Sequence, residues 1–397
     1  MNFLFISPNF PDIYWKFVKE LKDDGATVLA IGDTPYFGTK QELRDNVQEY
    51  YYLPNLANYD DMCKAVQYFF DKYGKIDFLE SNNEFWLMQD AELRKKFCID
   101  TGFYPENMEK IKYKSKMKEY FIKAGAKVAR YILVDTLDNC QKFAAEVGYP
   151  LFVKPDNGVG ASHSYKISNE EELIHFINTK DNEIYIMEEY IDGELMSFDG
   201  VCDIDGNVVV CFNEHFPNPI AEVVNTKGDL YYYAMCDMPE DFRELGKRVV
   251  KSFGISKRCF HIEFFKLNKA KKGLGKKGDY IALETNMRSP GGNTPDLLCL
   301  ALNESYYKVY ADTICFNESK VDLNKEKFVA ISVARRDGKP YKNSPESINN
   351  LFGQYIKEVG HYDPAIAEAM GNDFYFATFK TLEEAIKFKD YVLELNA

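Results

Sequence analysis

Glu284, Asn286 and Arg288 stand two residues apart in the run I-A-L-E-T-N-M-R-S-P-G-G-N, residues 281–293. On a strand, residues at this spacing share a face, so a carboxylate, an amide oxygen and a guanidinium would point the same way. Oxygen ligands of this kind suit Mg2+, which carboxylates commonly share with substrate phosphates. The guanidinium offers a planar fork to a phosphoryl or carboxylate group. The following Ser289-Pro290-Gly291-Gly292 bends the chain and bares main-chain N–H groups to an anion. The same run also fits an ordinary strand end entering a Gly-Pro turn with its charges in water. Its partners upstream decide between the two.

Four stretches are candidates for those partners. Lys154 closes the apolar run Y-P-L-F-V-K, and Pro155 and a loop with Gly158, Gly160 and Ser162 follow it. A lysine ending an apolar strand needs a polar target, and a loop of small residues can wrap phosphates. Because the lysine precedes the glycines, this is not the G-x-x-x-x-G-K-[ST] motif, and a plain structural turn is the alternative. The run Glu188-Glu189-Tyr190-Ile191-Asp192-Gly193-Glu194 ends a short strand as either a solvated edge or a binding segment. In the strand 259–267, His261, Glu263 and Phe265 alternate with Phe260, Ile262 and Phe264. If that strand forms a hairpin with residues 280–283, Glu263 and Glu284 share a face; otherwise Glu263 is a solvated outer-face residue. Lys116 lies on a Lys-rich helix over 111–124, solvated or turned toward a ligand. Glu84 either faces a substrate amine at a strand's carboxyl end or caps a helix over 85–97. Arg335 and Arg336, after a later strand, are surface charge or reach an anionic group.

The elements that must position these residues change character along the chain. Residues 2–7, 27–31 and 76–80 read as apolar strands separated by helical patterns, the longest over 59–73, which argues for a parallel α/β sheet. The first turn lacks G-x-G-x-x-G, so a classical dinucleotide site is not supported. Further on, residues 149–154 and 184–187 read as strands, and the strands 195–201 and 208–213 pair as an antiparallel hairpin around Asp205-Gly206-Asn207. The strand 259–267 and the returning strand at 280–283 are joined by a long Lys/Gly-rich connection. The last part is a small β–α–β pattern. The fold class is therefore α/β and α+β multidomain. It has a parallel α/β domain over 1–110 and a two-part domain with antiparallel sheets over 111–320, divided at about 187/188. A small C-terminal α+β subdomain covers 321–397.

Composition narrows the partners. The 397 residues carry 49 Lys+Arg against 62 Asp+Glu, a net charge of −13, which argues against nucleic acid or an anionic membrane as partner. No apolar stretch approaches the roughly 18 residues of a membrane helix, and the N-terminus does not read as a signal peptide. Nine cysteines without a C-x-x-C pair, and five scattered histidines, read as buried thiols and no zinc motif in a cytoplasmic protein.

Taken in order, Lys116, Lys154 with its glycine loop, E-E-Y-I-x-G-E, Glu263 and then Glu284-x-Asn286-x-Arg288 resemble the ATP-grasp superfamily over essentially the whole chain. The pattern is similar to carboxylate–amine (L-amino-acid) ligases and to the synthetase units of carbamoyl-phosphate synthase and biotin carboxylase. The resemblance implies an N-terminal pre-ATP-grasp domain and an ATP-grasp domain whose cofactors are ATP and two Mg2+ ions, replaceable by Mn2+. It implies that Lys116 and Lys154 hold the α- and β-phosphates and that the loop 157–164 closes over the phosphate tail. Backbone groups of Glu189 and Ile191 would take adenine, and Glu194 the ribose. Glu263, Glu284 and Asn286 would bind the metal, with Arg288 on the transferring group. The implied reaction joins a small carboxylate to an amine through an acyl phosphate. A bicarbonate-using enzyme and a non-catalytic ATP-binding module are the alternatives. Small-molecule substrates and a possible homodimer are the expected partners. The loop G-V-G-A-S-H departs from a denser glycine run, and the 263–284 pairing needs an extended hairpin.

Overall fold

The computed structural model describes residues 1–158, 163–217, 227–362, 367 and 370–396. Gly160 and Ser162 lie outside the described residues.

The strands β1 (Asn2–Ile6), β2 (Thr27–Gly32), β3 (Glu49–Tyr52) and β4 (Phe78–Glu80) form a parallel sheet in the order β3-β2-β1-β4. Phe3 to Ile6 are all fully buried, as a strand covered by helices on both faces requires. Helix Trp15–Asp23 lays Phe17, Val18 and Leu21 on that sheet, an i, i+1, i+4 stripe. The E-Y-Y-Y segment of β3 was not expected, because its residues are only partly buried and show no alternation.

The middle of the chain starts with β5 (Lys127–Val128), β6 (Tyr131–Leu133), β7 (Leu151–Pro155), β8 (Tyr165–Ile167) and β9 (Tyr185–Glu189). Of these, β6-β9-β7-β8 make a small antiparallel sheet. The remaining strands are β10 (Gly193–Cys202), β11 (Val208–Phe216), β12 (Leu230–Met235), β13 (Arg258–Leu267), β14 (Tyr280–Asn286), β15 (Val329–Arg335), β16 (Ile356–His361) and β17 (Asp373–Phe379). Together with β5 they form one nine-stranded sheet in the order β16-β17-β15-β12-β11-β10-β13-β14-β5. Pairing of β12 with β15 makes the C-terminal strands continuous with this sheet.

The large sheet has two chemically different faces, as the alternation in β13 predicts. Phe260, Ile262 and Phe264 pack with Phe198, Phe242 and Phe253 under helix Glu240–Phe253. Gly246 of that helix lies so close to the Phe198 ring that a Cβ there would overlap it. The other face carries His261 and Glu263. Helix Tyr306–Phe316 wedges the parallel sheet against the large sheet: the Phe17 ring meets Tyr307 at 4.7 Å and Tyr310 at 5.1 Å. A buried bridge reinforces the join, with Glu80 at the end of β4 paired to Arg94 at 3.1 Å and to Arg258 of β13. The carboxyl ends of β1 and β4 are thereby held beside the end of β14.

Candidate active site

The antiparallel pairing of β13 and β14 sets Glu263 directly opposite Glu284 and His261 opposite Asn286. Directly opposed residues share a face, so both carboxylates project together. The long connection 268–279 is an extended hairpin: Leu267 and Asp279 continue the ladder, and Lys271 bridges to Gly275. Its lysine is put to use, because Lys271 Nζ donates to the Tyr190 carbonyl at 2.8 Å and pairs with Glu189 at 3.1 Å. The basic connection is thus pinned to the segment after β9.

Cations approach this acid pair from the small sheet and from helix Lys114–Lys123. Lys154, at the end of β7, sits 3.0 Å from Glu188. Burial disfavours its charge, but Glu188, then Glu284, raise its pKa above the usual lysine range. Lys118 pairs with the other oxygen of Glu188, so one buried carboxylate bridges two buried ammonium groups. Burial opposes ionisation of Glu188, yet Lys118 and Lys154 hold its pKa at about 2. Lys114 lies 3.7 Å from Glu284 and donates to the Gly158 carbonyl at 3.0 Å. Asp156 fastens the two elements by accepting from the Ser115 N–H and hydroxyl, each at 2.7 Å.

Lys116, expected to hold phosphate, points away: it is exposed on the opposite side of the helix from Lys114 and Lys118. The periodicity carried that signal, because Met117 and Phe121 mark the buried face and Lys114 and Lys118 fall on it at i−3. Glu84 departs from the capping alternative as well. The helix Leu87–Lys96 has no side-chain cap, and Glu84 is buried 3.4 Å from Lys112 and 3.9 Å from Arg288. Arg288 also donates to the Ser289 carbonyl at 2.8 Å. Arg335 is buried rather than solvated, donating at 2.8 Å to the Val392 carbonyl, and Arg336 donates to the Gly228 carbonyl at 2.6 Å.

The segment after β9 differs in kind. Glu189 is buried and chelated by Arg130 through bonds of 3.0 and 2.7 Å, so its side chain is structural. Ile191 packs on Leu267, Leu274 and Ile281. Tyr190 lies under Lys166, 4.7 Å from ring centre to Nζ. Glu194 accepts from His215 Nδ1 at 2.8 Å, and the His215 ring stacks on Tyr233 at 4.8 Å.

The electrostatics of the acid pair suit a divalent cation. Burial, then repulsion from Glu263, raises the pKa of Glu284, with Lys114 and Lys154 opposing. Burial also works against Glu263, but a hydrogen bond from His261 at 3.2 Å keeps it below its ordinary value. Behind them, His261 meets the buried Asp199, whose charge outweighs burial and lifts the imidazole to about 10. Two like charges on directly opposed positions repel, and a shared cation removes that cost. Asn286 adds an amide beside them. A cavity of about 930 Å³ lined by Trp15, Lys16, Tyr307, Tyr355 and Phe379 shares none of these residues and lies apart from this chemistry.

The chain is similar to one domain family and to three known proteins. Residues 110–258 match the ATP-grasp domain family. An L-arginine-specific L-amino acid ligase of Bacillus subtilis is 22% identical over 267 residues, covering 64% of this chain and 61% of that protein. Among solved structures, an L-amino acid ligase from Bacillus licheniformis superposes with a TM-score of 0.71 at 16% identity, over 98% of this chain and 96% of its own. The biotin carboxylase domain dimer of a Hydrogenobacter thermophilus 2-oxoglutarate carboxylase, solved with MgADP and bicarbonate, superposes at 0.67 and 15% identity, over 98% of this chain and 89% of its own.

Proposed function

Since the chain carries an ATP-grasp domain, we propose that it is an ADP-forming ligase that joins a small carboxylate, an amino acid or similar, to an amine. The observation that carries this reading is the convergence on one face of Glu263 and Glu284 with Lys154 and Lys114 around them. The chain spans 61% of the length of the amino-acid ligase relative, and that protein's named specificity supports the amino-acid class of substrate without naming the substrate here.

A carboxylate is a poor electrophile, because its charge repels nucleophiles and oxide does not leave. Transfer of the γ-phosphoryl of ATP makes an acyl phosphate whose leaving group is phosphate. In this reading Lys154 and Lys114 hold the polyphosphate by charge, with the Gly158 carbonyl held by Lys114 beside them. Main-chain groups at Glu189 and Ile191 border the adenine, and Glu194 the ribose. Glu263, Glu284 and Asn286 would hold Mg2+, which would supply charge neutralisation on the phosphate oxygens. Arg288 faces the transferring phosphoryl and then the acyl phosphate. Glu84, 3.9 Å from Arg288, is suited to orient an ammonium group for attack on the same carbon. Water must be kept out, since the acyl phosphate otherwise hydrolyses.

The test is ADP release from the full chain with ATP, Mg2+ and pairwise panels of amino acids. Substrate-dependent release with a dipeptide or amide product is the expected outcome. ATP turnover stimulated by bicarbonate without an amino acid would move the assignment to a carboxylase. ATP binding without turnover on any panel would reduce it to a nucleotide-binding module.

A further inference from the structure

On the polar face of the large sheet, a second cluster lies beside Glu263. Asp199 of β10 stands opposite His261 of β13, and Glu214 of β11 stands opposite Ser197, two residues from Asp199. Asp199 and Glu214 are fully buried and His261 is 7% exposed. His261 meets Asp199 through Nδ1 and Glu263 through Nε2, and the Ser197 hydroxyl donates to Asp199. Neither carboxylate oxygen of Glu214 has a hydrogen-bond partner among the described residues. One ligand atom from each of Asp199, Glu214 and His261 lies within 4.8 Å of the others.

A buried carboxylate without a partner is costly, and a second one alongside it adds repulsion. We infer that Asp199, Glu214 and His261 bind a divalent first-row transition ion, of the Zn2+ or Mn2+ type, at a site separate from the Glu263–Glu284 pair. Ligand atoms about 2.0–2.2 Å from such an ion stand at most about 4.4 Å apart, so a small inward shift closes the cluster around it. The imidazole favours a transition ion over Mg2+ or Ca2+, which prefer oxygen ligands. Two carboxylates balance the charge of the ion. With Nδ1 on the metal, Nε2–H donates to Glu263, and this bond fixes both the imidazole tautomer and the carboxylate that the nucleotide site uses. The ion thus acts as a positioning element behind the nucleotide site.

The test is metal analysis of the full chain, expressed with Zn2+ and Mn2+ supplements and freed of nucleotide and Mg2+ by gel filtration. Because the cluster is buried, the chain is also unfolded and refolded with Co2+ as a spectroscopic probe. One tightly held ion per chain, and visible d–d bands with Co2+, are expected. Both should be lost in Glu214→Gln and Asp199→Asn and kept in Glu284→Gln, with unchanged far-ultraviolet circular dichroism as the folding control. Absence of a stoichiometric ion under both regimes, or an ion lost in Glu284→Gln but kept in Glu214→Gln, would overturn the site. The assay needs no nucleotide, so its failure leaves the ligase reading standing, and failure of the ligase assay leaves the metal site standing.

Discussion

At the scale of single residues, Glu188 is the side chain whose removal has the clearest physical consequence. It is the sole carboxylate paired with both Lys118 and Lys154 among the described residues. Breaking a buried pair strands the remaining charge, typically at about 3–5 kcal/mol. Glu188→Gln is therefore expected to destabilise the chain by about that amount in urea unfolding, and to weaken ATP binding because Lys154 is no longer held. Arg288 carries the opposite profile. Partly exposed and bonded locally to the Ser289 carbonyl, it contributes little to folding. If it stabilises charge only during transfer, Arg288→Ala should lower kcat by about 10²–10³ while the melting temperature stays near that of the parent. Lys154 and Glu284 were legible in the sequence because a charged residue closing an apolar strand has few explanations. Lys114 and Lys118 are told apart from Lys116 only when the lysine run is set against Met117 and Phe121, which mark the covered face of the helix.

Among the elements, the β13–β14 hairpin and helix Glu240–Phe253 behind it do the positioning. The helix packs against the apolar side of the strand that bears Glu263. Gly246 permits the close approach, and any side chain there must displace the Phe198 ring. Gly246→Ala should cost about 1–3 kcal/mol by overpacking, read as a lower urea midpoint at unchanged slope. The alternation in 259–267 fixes the polar and apolar faces of the strand, but leaves open whether it pairs with the strand at 280–283. The hairpin's length was the difficulty, because a twelve-residue basic connection does not announce that it doubles back. What closes it is Lys271, reaching the Tyr190 carbonyl and Glu189, a contact between segments about eighty residues apart that no local pattern contains.

For the molecule as a whole, paired buried carboxylates set the response to acid. Glu188 has a folded pKa of about 2 against an ordinary 4.5. A group with a depressed folded pKa contributes its full stability above 4.5 and loses it as pH falls toward 2. Unfolding free energy should therefore decline through that window, by an amount of order 3 kcal/mol from this group, and Glu188→Gln should flatten that part of the profile. Removal of Mg2+ by EDTA is expected to abolish ADP release while leaving far-ultraviolet circular dichroism unchanged, since the acid pair is flanked by Lys114 and Lys154. No helix among the described residues is long and apolar enough to cross a membrane.

The sequence by itself determined which residue types were available, the alternation that puts Glu263 and Glu284 on polar faces, and the change from a parallel to an antiparallel architecture. These are local properties, set by side-chain period and by turn chemistry. Only the tertiary structure decided that Lys114 and not Lys116 meets Glu284, that Glu84 turns to Arg288 instead of capping its helix, and that Asp199, Glu214 and His261 converge from three strands. Each of those outcomes depends on strand register and helix rotation, which are fixed by burial against distant segments; the helical period marks the covered face that Lys114 shares with Met117 and Phe121 but not the partner it meets there.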